Sequence, residues 1–364
     1  MNSFMRASDN NYLFRIDHLR FFAAFLVIVW HFSHLFLPVT YVPNNLFANI
    51  FEEGHTGVAL FLVISGFIFE YVSFGKEIVY SKFIYNRVLR IFPLFILFTL
   101  FAIYTKQLSN TSNLVINMLT FVNPKELPDV GWTIAVEFQF YLIFPFLHSQ
   151  LTKKGPLHIF LLLVFFFLLR FIAFRMSNTV LDLSYWTIFG RIDQFLIGMM
   201  VSYLYRKYIT DKFASLKIQF RYLIASALIV TGITFISLFY RHFNELGGFC
   251  GSEVIKGSSI WIYFPTVEGA CYSTLLLGYL LFPNNYLKYF DWFFGKLGEL
   301  SYSIYWMHVP VIWLVYSCNV RAQDFNTALF DAIFIVTPIV LVLSLMSYHL
   351  IEKPFLEKRV KYHN

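Results

Sequence analysis

The chain has 364 residues, of which 58% are hydrophobic and 13% charged, and its formal net charge is +7. A soluble domain carries roughly a quarter of charged residues, so this composition excludes a soluble globular protein. Phe (46) and Tyr (23) dominate the aromatic residues, as expected for a lipid-facing surface with interfacial anchors. The sequence therefore predicts an all-α, polytopic transmembrane helix bundle.

Ten apolar segments pass the length and apolarity test for a membrane-spanning helix, although polar residues shorten or interrupt some of them. They lie at residues 13–37, 56–74, 89–108, 131–148, 157–175, 185–205, 221–240, 263–283, 299–318 and 328–351. No linker or low-complexity stretch separates them, so residues 1–364 are expected to form one integral membrane domain.

The distribution of basic residues tests this topology. With a cytoplasmic N-terminus, twenty of the 28 Lys and Arg residues fall in inner segments and seven in outer ones. This excess predicts that both termini are cytoplasmic, as tails at residues 1–12 and 352–364. The net positive charge is then a signal of topology, and no nucleic-acid partner is expected.

The first segment carries Arg20 and His31, eleven residues apart. At about 100° and about 1.5 Å per residue, both project from nearly the same helix face, roughly 16 Å apart along the axis. This spacing can place a cation at the membrane surface and an imidazole near the midplane, where ionisable groups are costly and often functional. A buried histidine satisfied by a neighbouring helix is the alternative, and the pair alone does not exclude it.

The second segment begins with a series of small residues. Gly57, Ser65 and Gly66 would let another helix or a ligand approach the backbone closely, and ordinary helix packing is the alternative interpretation. Glu70 follows one turn after Gly66 and needs a partner inside the membrane.

Arg87 and Arg90 lie three residues apart at the inner end of the third segment. Two guanidinium groups on one face can clamp a phosphate, because each offers planar bidentate donors. Topology also demands cytoplasmic arginines, so the pair alone does not decide between an anchor and a ligand site. Arg20 is expected at the same membrane level, where the three would suit an anionic, phosphate-bearing molecule.

Ionisable residues recur inside six of the ten segments: Arg20, His31, Glu70, Glu137, Arg191, Asp193, Glu268 and His308. Packing does not need so many, so they predict an internal polar cavity with an arginine-rich cytoplasmic mouth. Glu137 can orient or charge-stabilise a histidine there, or form a silent ion pair. The three cysteines fit no metal-ligand spacing, and no metal is expected.

Six motifs occur in register along the chain: Arg20 with His31, residues 54–67, Arg87 with Arg90, residues 132–137, residues 301–308 and residues 351–354. In this order the chain resembles the acyltransferase-3 family of integral membrane acyltransferases over essentially its whole length. Within this family it resembles members with the membrane domain alone that O-acetylate glycans. One departure is Ala59, where many relatives have an acidic residue.

The resemblance implies about ten transmembrane helices that use cytoplasmic acyl-CoA, with acetyl-CoA as the default donor, to acylate acceptors that are often glycans. The implied roles are Arg20, Arg87 and Arg90 on the donor's phosphates, His31 as the catalytic histidine, and Glu137 and His308 in supporting positions. The expected substrate-binding residues are Trp132, Tyr141, Ser65 and Ser301.

The predicted function is therefore O-acyl transfer to a hydroxyl of a glycan or a lipid-linked glycan precursor, in the plasma (inner) membrane of a bacterium. His31 would act as general base or form an acyl-histidine, and the sequence leaves both open. The acceptor, the acyl group and the oligomeric state are also left open. The alternative from another class is a secondary transporter of an acylated or sugar-linked metabolite, and a third is a non-catalytic assembly protein.

Overall fold

The computed structural model describes residues 13–36, 46–106, 116–117, 123–127, 130–249, 255, 257–283, 288–318, 322 and 324–363. Within these ranges the chain is helical, and its β-structure is limited to one isolated bridge. The helices are α1 (Phe14–Phe36), α2 (Leu46–Glu52), α3 (Gly57–Ser73), α4 (Tyr80–Lys106), α5 (Gly131–Lys154), α6 (Pro156–Ser177), α7 (Leu181–Trp186), α8 (Ile188–Leu204), α9 (Thr210–Ala214), α10 (Ile218–Glu245), α11 (Ile260–Leu281), α12 (Lys288–Glu299), α13 (Ser301–Ser317), α14 (Phe325–Asp331), α15 (Thr337–Ser347) and α16 (Lys353–Leu356). Short 3-10 turns (Gly54–Thr56, Pro124–Glu126) and π turns (Tyr205–Ile209, Ala332–Val336, Tyr348–Glu352) join or extend them.

Six helical stretches of the described residues are long and apolar enough to cross a membrane. They are Phe14–His34, Gly54–Ser73, Tyr80–Thr105, Pro156–Ser177, Ile218–Glu245 and Phe325–Leu356. They coincide with six of the ten segments expected from hydropathy, and the other four segments fall on α5, α7 with α8, α11 and α13. The all-α helix bundle is thus confirmed, while the number of spans and the side of the termini stay predictions.

The sixth expected segment, residues 185–205, is not one continuous helix. The chain is extended at Thr187 (φ −119°, ψ 160°), which separates α7 from α8. The break folds α7 back onto the start of α8, where Arg191 Nε donates to the Tyr185 carbonyl at 2.9 Å. Gly190 packs so closely on Ser184 that an added Cβ would lie 2.1 Å from the Ser184 carbonyl oxygen.

Helix α3 packs against two neighbours at backbone distance. A Cβ added to Gly57 would lie 2.3 Å from the Ala23 carbonyl oxygen of α1, and one added to Gly66 would lie 2.1 Å from the Phe195 carbonyl oxygen of α8. Both distances are shorter than any non-bonded contact, so only glycine fits there. Helix packing is therefore the role of these two small residues.

Several of the buried charges are paired with one another. Glu268 of α11 accepts hydrogen bonds from Arg191 and Gln194 of α8, both at 2.8 Å. Ion pairs also join Arg170 to Asp193 (2.6 Å) and Glu70 to His148 (2.7 Å). A buried charge needs such a partner, because removing one member of a buried ion pair lowers the stability of the fold by about 3–5 kcal/mol. These groups therefore connect helices.

The contact at Gly66 predicts a loss of stability on substitution. Gly66→Ala should lower the free energy of unfolding by roughly 1–3 kcal/mol, because the backbones of α3 and α8 must separate. Gly295→Ala is the matched control: Gly295 lies inside α12 with no atom within 4 Å of the added Cβ, and alanine there should stabilise by up to about 1 kcal/mol. Thermal unfolding in detergent measures both, and equal shifts would contradict the packing role.

A second prediction concerns pH. Glu53, which follows α2, is only 2% exposed, and this burial raises the pKa of Glu53 from 4.5 to about 8. The folded state therefore keeps a proton that the unfolded chain releases, so stability should fall as the pH rises from about 4.5 to about 8. Denaturation across this pH range should show that the free energy of unfolding declines less for Glu53→Gln than for the wild type. Identical declines would contradict the raised pKa of Glu53.

Candidate active site

A cavity of about 260 Å³ lies between α1, α3, α4, α5 and α13. Of the ten site residues expected from the sequence, seven line it: Arg20, Ser65, Arg87, Arg90, Glu137, Tyr141 and Ser301. These residues are far apart in the chain, and the bundle brings them to one place. His31, His308 and Trp132 are not among the lining residues.

Arg87 is held by aromatic rings at one end of the cavity. Its guanidinium carbon lies 4.8 Å from the ring centre of Phe69, 5.2 Å from that of Phe83 and 5.7 Å from that of Tyr141. The face of an aromatic ring attracts a cation, and it leaves the N–H donors in the plane of the guanidinium available for other partners. Within the described part of the chain the buried Nε has no hydrogen-bond partner, which leaves this arginine suited to an anionic ligand.

The other two arginines have carboxylate partners. Arg90 Nη1 donates to Glu352 at 2.7 Å, and Arg20 Nη1 donates to Asp17 at 3.1 Å. Glu352 also accepts a hydrogen bond from Ser303. Residues 351–354 were singled out in the sequence as a motif without a role, and the structure shows that Glu352 positions Arg90 in the cavity wall.

Glu137 lies in the middle of the cavity wall. Its carboxylate accepts hydrogen bonds from the Ser65 hydroxyl at 2.9 Å and from the Tyr141 hydroxyl one turn further along α5. Among the described residues Glu137 makes no hydrogen bond to His31 or His308, so it faces the cavity instead of a histidine.

Two aromatic residues, Tyr305 and Phe61, line the cavity at the end away from Arg87 and Arg90. The Tyr305 ring packs edge-on against Phe61 at 5.9 Å, and its hydroxyl lies 2.8 Å from that of Thr133. On its other side, Tyr305 is 5.6 Å from the ring of His308. Sequence reasoning gave Tyr305 and Phe61 no role of their own, although they stand within the 301–308 and 54–67 motifs.

His31 and His308 form a pair next to this wall, with ring centroids 4.8 Å apart. His308 is fully buried and His31 is half-buried. His31 Nδ1 lies 2.9 Å from the Val27 carbonyl. A carbonyl only accepts, so this bond requires a proton on Nδ1, and in the neutral tautomer with that proton the lone pair is on Nε2. A neutral imidazole with a lone pair on Nε2 is the form that can take a proton from a hydroxyl.

Trp132 has a packing role in the structure. Its ring lies 5.2 Å from Tyr185 and 4.8 Å from Trp186, and the Arg191 guanidinium lies 5.8 Å from its ring centre. These neighbours belong to the junction between α7 and α8. Trp132 therefore supports this junction and is separate from the cavity that Ser65, Tyr141 and Ser301 line.

Comparison with known families agrees with this arrangement. The family model for the acyltransferase domain of the acyltransferase-3 family matches residues 13–349, which include the whole cavity wall except Tyr362. No curated protein and no solved structure matches the chain. The helices long enough to span a membrane fit a multi-pass protein. The chain belongs to the acyltransferase-3 family of integral membrane acyltransferases.

Proposed function

We propose that this protein is an O-acyltransferase that moves an acyl group, with acetyl as the default, from cytoplasmic acyl-CoA to a hydroxyl of a glycan or glycan precursor. The observation that carries the proposal is the shared cavity. It holds three arginines at one end and a carboxylate at its middle, and it ends at Tyr305, about one helical turn from His308.

The arginine end suits the phosphate groups of the donor. Arg20, Arg87 and Arg90 line it together, and guanidinium groups bind phosphate with paired N–H donors. From there the α3 wall runs from Val72 to Val58, which at about 1.5 Å per residue is about 21 Å. That length accommodates the donor's pantetheine arm, and the Glu137 carboxylate would accept a hydrogen bond from an amide N–H of the arm.

The proposed reaction is direct acyl transfer. The lone pair on His31 Nε2 takes the proton of the acceptor hydroxyl while the hydroxyl oxygen attacks the thioester carbonyl carbon. The carbon–sulfur bond breaks, and the CoA thiolate leaves and takes the proton back from the imidazolium. His308 supports His31 through ring contact, and the thioester reaches this pair when Tyr305 turns aside. An acyl-histidine at His31 is the variant with the same stoichiometry.

The proposed setting is the plasma membrane of a bacterium, with the arginine end of the cavity facing the cytoplasm. The bilayer and a glycan or lipid-linked glycan acceptor are the partners, and neither a metal nor nucleic acid takes part. Membership of an acyltransferase family favours this function over transport of a metabolite. Purified protein should release free thiol from acetyl-CoA when an acceptor is present, whereas a transporter would release none.

Replacing His31, the proposed base, should greatly reduce turnover. His31→Asn places an amide nitrogen near the position of Nδ1, where it can still donate to Val27, but it has no basic nitrogen. Acyl transfer should fall about 100- to 10,000-fold, as measured by acceptor-dependent thiol release. His242→Asn is the control, because this histidine is 59% exposed outside the cavity, and it should retain wild-type activity.

The same assay tests the assignment within the histidine pair. His308→Asn should reduce the rate less than His31→Asn does, because His308 acts through His31. Full activity of folded His31→Asn would refute the mechanism. If His308→Asn lost activity and His31→Asn did not, the base would be His308.

Arg87 predicts a separate effect on donor affinity. Arg87→Gln should raise the KM for acetyl-CoA about 10- to 100-fold, the usual range for losing a charged hydrogen bond. The kcat should change little, because the phosphates are bound equally in the ground and transition states. Lys82→Gln on the same helix is the control: Lys82 is exposed and does not line the cavity. An unchanged KM for Arg87→Gln would contradict the donor site.

A further inference from the structure

Residues 358–363, here called the strap, run past the arginine end of the cavity. Asn86 of α4 anchors the strap through Val360: its Nδ2 donates to the Val360 carbonyl at 2.7 Å, and its Oδ1 accepts from the Val360 N–H at 2.9 Å. Asn86 is itself only 2% exposed. Two further contacts continue the attachment, from the Val79 N–H to the Tyr362 carbonyl (2.8 Å) and between Ser73 Oγ and His363 Nε2 (3.1 Å).

This attachment places the Tyr362 side chain in the cavity wall. Its ring packs edge-on against Phe83 at 5.3 Å, and the Arg87 guanidinium lies 6.0 Å from its centre. Burial raises the pKa of Tyr362, so the side chain remains a neutral aromatic group. The strap thus adds an aromatic ring beside Arg87, which forms no ion pair among the described residues.

The strap also adds positive charge to the same end of the cavity. Three of its six residues are basic, namely Lys358, Arg359 and Lys361, and both lysines are exposed. Arg87 and Arg359 both act electrostatically on the Tyr362 hydroxyl, so two guanidinium groups lie near this ring, and the two lysines stand in the same short segment of the chain. This combination is typical of sites for a nucleotide, whose base stacks on a ring and whose phosphates meet basic side chains.

We propose that the strap is a part of the donor site, with Tyr362 as a residue that binds the nucleotide end of acyl-CoA. The strap's basic side chains then meet the phosphate groups, and Asn86 acts as a positioning residue that holds the strap at the cavity. This inference rests on the proposed donor. The strap lies beyond residues 13–349 of the family match.

The first test measures binding of coenzyme A to the full chain in detergent by calorimetry. Tyr362→Ala should raise the Kd about tenfold, as expected for losing a stacked base. Tyr362→Phe should restore most of the affinity, because the ring and not the hydroxyl makes the contact. Tyr289→Ala is the matched control, since Tyr289 is 91% exposed, and its Kd should equal that of the wild type.

A second test separates positioning from direct contact. Asn86→Ala should release the strap and raise the Kd about as much as Tyr362→Ala, and the double variant should bind no more weakly than either single variant. Trypsin cleavage after Lys358, Arg359 and Lys361 should slow when coenzyme A is added to the wild type. In Asn86→Ala the cleavage should be fast with or without coenzyme A.

The outcomes distinguish this inference from the proposed function. A wild-type protein that neither binds coenzyme A nor releases thiol would refute the function itself. Wild-type binding that is unchanged in Tyr362→Ala and Asn86→Ala would overturn the strap's role alone. Tighter binding in either variant would also overturn it, because the strap would then obstruct the donor.

Discussion

The close packing of α3 against α1 and α8 is the contact on which the cavity depends. Gly57 and Gly66 present no side chain to these neighbours, so α3 lies at backbone distance from both. Its remaining face then carries Ser65 into the cavity, opposite Glu137. Packed helices do not deform smoothly, so a wider spacing would displace this wall as a unit. The width of the site is thus determined by contacts on the far side of its wall.

The three cavity arginines differ in how their charge is balanced. Arg20 and Arg90 each lie against a carboxylate, of Asp17 and Glu352 respectively. These pairs fix the direction of the guanidinium groups and offset part of their charge. Arg87 lies among aromatic rings instead, so of the three it has the least balanced positive charge within the described part of the chain. Arg87 would therefore attract an incoming anion most strongly, while the paired Arg20 and Arg90 would orient it.

Helical periodicity explains how much of this site could be predicted from the sequence. Spacing, residue size and depth singled out Arg20, Ser65, Arg87, Arg90 and Glu137, because residues on one face of a helix stay together in any packing. The family resemblance added Tyr141 and Ser301, and all seven side chains line one cavity. The break at Thr187 could not be predicted, since it depends on contacts of Gly190 and Arg191 that hydropathy does not encode. Tyr305 and Tyr362 were also missed. Aromatic residues make up 21% of the chain, so composition does not separate a cavity ring from a lipid-facing one.

The wall formed by Tyr305 and Phe61 has a consequence for the membrane as well as for the donor. Polar groups continue from the arginine end through Glu137 to the histidine pair, and a water-filled path along them would conduct protons. The two rings, packed edge-on at 5.9 Å, form an apolar constriction of the kind that excludes water in closed channels. With the rings in this position, the bundle would bind the proposed donor without a continuous water path for protons.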